Sequence, residues 1–323
     1  WAVERAMAGG GLRGFGGMAL VIALVILTTH FQQAYFLFGA VGVYALVRVV
    51  ILRRDGLTAG RALGRFGLFL AFSLLGAGVS GVQLLPAVEY VTEYSRRTST
   101  TTQASEAGSV AYSSSWSLHP EEVVSLVVPE FVGNNAGGAE WTTGTYWGRN
   151  FFKHNHEYAG LVVLLLAVAA FFGGPAAGIR FTFLGIGGVA LLFALGTHTP
   201  VWRLLYEVLP GISLFRAPSI AAFLFGFSAV TLMAFGIDRV LGLGKEGVDR
   251  GPASDEGSRE GSGAPSPKGS GKVPDSGQMP APTQKGLLWV LLGMVGLLLL
   301  GTVLAASGSL TSAWSSLLYG DMD

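Results

Sequence analysis

The chain has 323 residues, of which 50% are hydrophobic and 13% are charged, and its mean hydropathy is +0.52. A water-soluble globular chain carries about a quarter charged residues, so this composition excludes that class and indicates a membrane protein. The net charge of +1 does not indicate a nucleic-acid partner, and the lack of cysteine excludes disulfides and thiolate chemistry.

Seven apolar stretches of about 16–23 residues follow one another along the chain. A helix rises about 1.5 Å per residue, so these lengths cross or nearly cross a hydrocarbon core of about 30 Å. We therefore expect an all-α polytopic membrane protein with about seven transmembrane helices and an extracytoplasmic loop cap. The stretches are residues 14–30, 32–52, 66–88, 158–173, 181–196, 218–237 and 286–306.

The connector between the second and third stretches is rich in arginine and predicts the orientation of the chain. It contains five arginines against the single acidic residue Asp55. Short loops rich in Lys and Arg stay in the cytoplasm, so this connector should face inward and the 89–157 loop outward. The arginines are Arg48, Arg53, Arg54, Arg61 and Arg65.

Three predicted segments lie outside the spans. Residues 243–285 contain almost no apolar side chains and predict a disordered cytoplasmic linker between a six-span bundle (1–242) and a seventh span with an outer tail (286–323). Residues 199–216 predict a short helix in the outer interface. Aromatic side chains of the 89–157 loop fit either an interfacial belt or the wall of a lipid or sugar site.

The chain begins at Trp1, and no signal peptide precedes the first apolar stretch. We therefore expect it to be a piece of a longer protein.

Polar residues concentrate at the outer ends of the predicted spans, where ionisable groups tend to face one another or a wet cavity. Each has two interpretations. His30 is a capping residue or a site residue. Glu89 is a helix-end carboxylate, a base or a metal ligand, and Pro86 could direct it into a cavity. Arg96 and Arg216 reach lipid headgroups, or together clamp a phosphate.

The run His154-Asn155-His156-Glu157 invites a zinc interpretation. Two histidines two residues apart do not share a helix face, so we expect no metal site and no cofactor there.

Several short motifs keep their order and spacing over about residues 20–240 and resemble the YfhO-like bacterial membrane proteins, in the class of polytopic glycosyltransferases that use lipid-phosphate-linked sugars. The flanking residues Thr29 and Phe31 depart from the Gly-His-Pro-Gln pattern that this family usually shows. The motifs are His30-x-Gln32 with Tyr35, Gln83-x-x-Pro86-x-x-Glu89 with Ser95-Arg96, Trp116-Ser117 with Pro120 and Glu122, Pro129-x-Phe131-x-Gly133, Tyr146-Trp147-Gly148, Tyr158-Ala159-Gly160, Gly196-x-x-Thr199-Pro200, Pro210, and Phe215-Arg216-Ala217-Pro218.

The resemblance implies sugar transfer from a polyprenyl-phosphate carrier to a cell-envelope polymer or glycolipid at the outer face of the bacterial cytoplasmic membrane. Such enzymes place an acidic catalytic residue in a first outer loop, which would precede this chain, so Glu89 is a substitute candidate for the base. His30, Gln32, Arg96 and Arg216 would bind the lipid phosphate, and Tyr146 and Trp147 would hold the sugar or lipid.

Two other classes compete with a transferase. A secondary transporter usually needs ionisable groups near the membrane midplane, and the centres of these stretches contain none. A non-catalytic scaffold, or a protein that binds and presents a lipid-linked intermediate, needs no catalytic acid.

Overall fold

The computed structural model describes residues 1–9, 11–28, 30–94, 106–133, 144–150, 158–173 and 176–241, and the pairs 292–293, 295–296, 299–300, 303–304 and 307–308. These residues form α-helices, 3-10 turns and one π-helical turn (Tyr90–Tyr94), and no strand occurs among them. The α-helices are α1 (Ala2–Ala8), α2 (Gly11–Leu27), α3 (Phe31–Arg54), α4 (Ala59–Val79), α5 (Gly81–Glu89), α6 (Glu106–Ser114), α7 (Pro120–Val123), α8 (Leu161–Ala169), α9 (Ala177–Ala194), α10 (Pro200–Val208) and α11 (Ala222–Leu241).

Four of the described helical segments are long and apolar enough to cross a membrane: Phe31–Arg54, Ala59–Val79, Ala177–Ala194 and Pro218–Val240. The prediction of an all-α fold is therefore confirmed for the described residues, and the four apolar helices indicate a membrane-associated protein, whereas the count of seven spans is not confirmed. The apolar helix α2 has 17 residues, and α8 has nine. Of the predicted seventh span only a few pairs of residues are described, and the 243–285 segment lies outside the described residues.

The predicted third span, 66–88, is two helices. The chain breaks at Ser80, whose hydroxyl donates to the carbonyls of Gly76 and Ala77 at 3.1 and 3.0 Å. The following helix, α5, contains Pro86, which lacks an N–H and cannot continue a regular hydrogen-bond ladder. The π-helical turn after α5 absorbs this irregularity.

The chain divides into two compact units. The first unit comprises Trp1–Leu164 with Gly178–Leu232. In it α2 and α4 pack closely, because Gly76 leaves room for the Ala19 carbonyl, which a Cβ at position 76 would approach to 2.5 Å. A buried apolar core joins α1 to α4 and includes Met7, Phe15 and Phe69.

The arginines near the α3–α4 connector hold α1 in place. The predicted connector is shorter than expected, because α3 continues to Arg54 and α4 begins at Ala59. Arg48 on α3 makes a two-pronged ion pair with Glu4 on α1, at 2.8 and 2.6 Å. The Tyr44 hydroxyl donates to the same carboxylate at 2.6 Å, and Arg65 donates to the Met7 carbonyl at 2.8 Å.

A second core lies around α10, which covers the first half of the predicted interfacial helix 199–216. Pro200 begins the helix, as suits a residue without an N–H at the first helical position. Trp202 is 1% exposed and packs in one cluster with Phe36 and Phe193, whereas the opposite face exposes Leu204 and Val208. This amphipathic distribution is typical of a helix that lies along an interface.

The second unit comprises Leu165–Ala177 with Met233–Asp323. Within it Arg239 donates to the Phe172 carbonyl at 2.7 Å, just beyond the end of α8. Gly236 faces the Leu166 carbonyl so closely that a Cβ there would collide with it.

The Glu4–Arg48 pair should contribute more stability than an exposed pair. The Arg48 side chain is 11% exposed, and Glu4→Gln would leave that guanidinium without its charged partner. We expect Glu4→Gln to lower the free energy of unfolding by about 1–3 kcal/mol. The matched control is Glu207→Gln, because Glu207 pairs with Arg203 while both side chains are about half exposed. Its effect should be below about 0.5 kcal/mol in the same thermal or denaturant titration, and equal effects would contradict the prediction.

Candidate functional site

The first unit contains a groove of about 1780 Å³ with mostly apolar walls. Residues of α2, α3, α4 and α5 form its sides, and residues of the 112–116 and 214–223 segments close one end. Its wall on α3 extends from Gln32 to Gly42, which at about 1.5 Å per residue is about 15 Å, or half a hydrocarbon core. Leu74 in the α4 wall is 74% exposed.

Polar side chains gather where α3 begins, and we call this the polar end of the groove. It brings together three of the residues predicted from the sequence, His30, Gln32 and Arg216. It also contains three residues that the sequence did not single out as site residues: Tyr112, Trp116 and Asn150. An apolar cavity with a few convergent polar groups is the usual form of a small-molecule binding site.

Arg216 lies on an aromatic surface. The centre of its guanidinium is 3.6 Å from the ring centroid of Trp116 and 5.7 Å from that of Tyr112. Both distances are within the range of cation–π attraction, and the shorter one fits a stacked guanidinium. Among the described residues no carboxylate forms an ion pair with Arg216. The N–H edge of this cation therefore remains available to an anion.

Gln32 fixes the main chain that carries this arginine. Its side-chain amide donates to the carbonyl of Arg216 and, at 3.1 Å, to the carbonyl of Ala217. Tyr35, one helical turn further along α3, donates from its hydroxyl to the Pro210 carbonyl at 2.8 Å and packs its ring on Phe215. The first turn of α3 is thus fastened to both ends of the 210–217 segment.

Two residues at the polar end adopt a left-handed backbone conformation that side chains disfavour. Trp116 has φ +61° and Ala217 has φ +58°. The Ala217 N–H donates to the Ser115 carbonyl at 2.9 Å, which joins the two segments at the point of strain. Such conformations cost of order 1–3 kcal/mol each and concentrate at functional sites, where the surrounding structure enforces them.

His30 caps α3. Its Nδ1 accepts the Gln33 N–H at 3.3 Å, so the neutral ring carries its proton on Nε2. His30 is therefore a capping residue that also lines the groove, so the two interpretations drawn from the sequence do not exclude each other.

The structure describes Glu89 but not Arg96. Glu89 is the exposed last residue of α5 and is not a lining residue, although its neighbours Val88 and Tyr90 are. Arg96 lies outside the described residues. No Asp or Glu occurs among the described residues that line the groove.

Tyr146 and Trp147 lie beside the polar end and not in the described lining of the groove. The Tyr146 hydroxyl donates to Oε1 of Glu122 at 2.6 Å and accepts the Asn150 N–H at 3.0 Å. Burial, reinforced by the Glu122 carboxylate, raises the pKa of the Tyr146 hydroxyl. Trp147 donates from Nε1 to the Phe131 carbonyl at 3.2 Å, and its role as a sugar-holding residue stays a prediction.

This network reaches the groove through Asn150, which is 2% exposed. The other oxygen of Glu122 accepts the His119 N–H at 2.7 Å, which caps α7. The Asn150 side-chain amide donates to the Trp116 carbonyl at 3.4 Å. The network therefore links a buried carboxylate to the backbone of the tryptophan on which Arg216 stacks.

Two histidine rings lie together at the N-terminus of α7. The rings of His119 and His198 are 4.9 Å apart, and the nearby Glu121 forms an ion pair with Arg149 at 3.0 Å. Burial lowers the pKa of His119 despite the adjacent carboxylates. Among the residues that the structure describes, no group of three or more His, Asp or Glu side chains is arranged to hold a metal ion.

The described residues thus form a helical protein, with four helices long and apolar enough to cross a membrane and an apolar groove that has a cation at its polar end. Comparison with family models, with curated proteins and with solved structures gave no match for this chain.

The Tyr146 hydroxyl should contribute to stability and not to ligand binding. Tyr146→Phe removes the donor to a buried carboxylate, so we expect a loss of about 1–3 kcal/mol in the free energy of unfolding. Tyr158→Phe is the control, because Tyr158 is half exposed and, among the described residues, its hydroxyl accepts the Leu161 N–H. Thermal unfolding in detergent measures both variants. A Tyr146→Phe protein with unchanged stability but impaired ligand binding would instead place this hydroxyl on the ligand.

Proposed function

We propose that this protein is a membrane glycosyltransferase-like protein that binds a polyprenyl-phosphate-linked sugar in the groove and transfers the sugar to a cell-envelope acceptor at the extracytoplasmic face. The observation that carries the proposal is the groove itself: an apolar channel about 15 Å long that ends at an arginine without a carboxylate partner among the described residues. The similarity of the motifs to YfhO-like proteins supports the same function.

The geometry suits a lipid phosphate because each part of the ligand has a matching surface. The apolar walls would take the prenyl chain, since burial of apolar surface stabilises by about 25 cal/mol per Å². The Arg216 guanidinium would bind two phosphate oxygens in a forked arrangement. Gln32 uses its amide hydrogens on backbone carbonyls, so its contribution is to hold Arg216, while Nε2 of His30 is a further donor at the same end.

In the transfer step, the acceptor hydroxyl would attack the sugar carbon while the bond from that carbon to the phosphate oxygen breaks. The departing phosphate gains negative charge, which a fixed guanidinium stabilises. A carboxylate would take the proton of the hydroxyl. Glu89 is the candidate for that role in this chain, because its neighbours line the groove.

A second candidate function, binding and presenting a lipid-linked intermediate without catalysis, is favoured by one observation. The described lining of the groove contains no carboxylate that could act as the base. Glu89→Gln distinguishes the two functions: a catalytic Glu89 predicts lost transfer with unchanged lipid-phosphate binding. If the full-length natural protein binds the lipid phosphate but transfers no sugar, its function is to bind and present the lipid-linked intermediate.

The proposal includes a topology. We propose seven spans in the bacterial cytoplasmic membrane, with the 89–157 loop outside and the 243–285 segment inside. The arginines at the α3–α4 connector support this orientation, because Lys and Arg accumulate on the cytoplasmic side.

Reporter fusions test this topology. Alkaline phosphatase fused near residue 105 should be active, because that enzyme matures only outside the cytoplasm. The same reporter fused within 243–285 should be inactive there, and green fluorescent protein should fluoresce. Both fusion sites on one side of the membrane would contradict the seven-span arrangement.

Arg216 provides the test of the function. Arg216→Ala should weaken the binding of farnesyl phosphate by about 10–100-fold, the value of one or two charge-assisted hydrogen bonds, and should reduce sugar transfer by orders of magnitude. Arg216→Lys should restore only part of the affinity, because an ammonium lacks the planar fork.

The matched control is Arg203→Ala, because Arg203 is half exposed on α10 and pairs with Glu207. It should bind farnesyl phosphate as the parent protein does. If Arg216→Ala also binds it normally, Arg216 is structural and the proposed phosphate site is refuted.

A further inference from the structure

We propose that Trp116 is a positioning residue that fixes the plane of the Arg216 guanidinium, so that the polar end selects phosphate-bearing amphiphiles over neutral ones. The inference rests on the proposed function. It assigns the selectivity of the site to a tryptophan that acts through the arginine.

The Arg216 guanidinium stacks on the Trp116 ring. At 3.6 Å from the Trp116 ring centroid, the guanidinium has one face covered by an indole ring. A planar cation with a covered face keeps its N–H groups at the edge, so an anion must approach in the plane of the ring system. Phosphate fits this approach because two of its oxygens match the fork.

The backbone of Trp116 is strained, and the surrounding structure holds it in that conformation. A bulky residue at φ +61° is an outlier that the surrounding structure must enforce. Asn150 donates to the Trp116 carbonyl, and the adjoining Ser115 carbonyl accepts the N–H of Ala217. The main chains that carry the tryptophan and the arginine are thus joined by neighbouring hydrogen bonds, so the ring and the guanidinium extend from a fixed backbone.

Stacking also lowers the conformational entropy that Arg216 loses when it binds a phosphate. A free arginine side chain samples many rotamers, and an arginine that is already fixed loses less conformational entropy on binding. Without Trp116 the guanidinium would have to be ordered by the ligand. The loss should therefore fall on phosphate recognition alone, while the apolar groove keeps its affinity for a prenyl chain.

The experiment compares two probes that share one prenyl chain, farnesyl phosphate and farnesol, in equilibrium binding to the purified full chain. The dissociation constant of farnesol divided by that of farnesyl phosphate gives a ratio that measures phosphate selectivity. For Trp116→Leu we expect this ratio to fall about tenfold with unchanged farnesol affinity, and for Trp116→Phe we expect most of the ratio to be retained, because an aromatic face remains.

Trp1→Leu is the matched control, because Trp1 also lies within cation–π distance of an arginine, Arg5, at 5.2 Å, but it precedes α1 and does not line the groove. It should leave the ratio unchanged. Arg216→Gln tests the phosphate site separately from the positioning role of Trp116. If Arg216→Gln abolishes the selectivity and Trp116→Leu does not, the positioning role is overturned while the phosphate site stands.

If Arg216→Gln leaves the ratio unchanged, the proposed phosphate site itself fails. If Trp116→Leu weakens both probes equally, the tryptophan shapes the groove and does not position the arginine, which also overturns the inference. Should Trp116→Leu fail to fold, Trp116→Met provides the same test, because its flexible side chain fills apolar space without an aromatic face, and an unchanged ratio in this variant overturns the inference.

Discussion

The amide of Gln32 makes the contact on which the candidate site depends. One planar group donates to two successive carbonyls, those of Arg216 and Ala217, and so joins the start of α3 to a segment about 185 residues further along the chain. A single carbonyl contact would allow the segment to rotate, whereas two adjacent contacts define its direction. Arg216 therefore points from a fixed backbone, and the left-handed conformation of Ala217 is held on both sides.

The groove follows from the same arrangement. Its apolar walls are helices whose side chains need only be apolar, because lipid and packed protein are similar environments for them. Its polar end needs donors at defined positions, and these come from chain segments that are tied to one another. Glu122 and Asn150 extend this fastening to Trp116 through Tyr146, so that a buried carboxylate contributes to the site without lining it. Apolar walls combined with a few precisely placed polar groups are typical of small-molecule binding sites.

The sequence predicted the helical class, and it predicted one group of His30, Gln32, Glu89, Arg96 and Arg216, because both predictions follow from local patterns. Of this group, His30, Gln32 and Arg216 line the groove, Glu89 does not, and Arg96 lies outside the described residues. Long apolar runs can satisfy their backbone groups in lipid only as helices, and polar residues at several span ends meet at one membrane face. The break at Ser80 was not predicted, because the apolar pattern continues through it, although the surrounding glycines and Pro86 were visible signals.

The remaining parts of the site depend on contacts between distant residues. Trp116 belonged to a recognised motif, but nothing local indicates that its ring would lie under a guanidinium 100 residues away. Asn150 carried no sequence signal at all. Tyr146 was predicted to hold a sugar or lipid, whereas its hydroxyl contacts Glu122, a partner that only the fold brings near.

The most direct test of the central claim, that a prenyl chain occupies the groove with its phosphate at the polar end, is site-resolved photo-crosslinking. A farnesyl phosphate analogue with a diazirine at the end of the chain would be irradiated with the purified protein, and labelled peptides would be identified by mass spectrometry. The account predicts labels near Val41 and Phe69, deep in the groove, that excess farnesyl phosphate suppresses. Labels on outward-facing residues such as Leu63 and Val189, unaffected by competition, would contradict it.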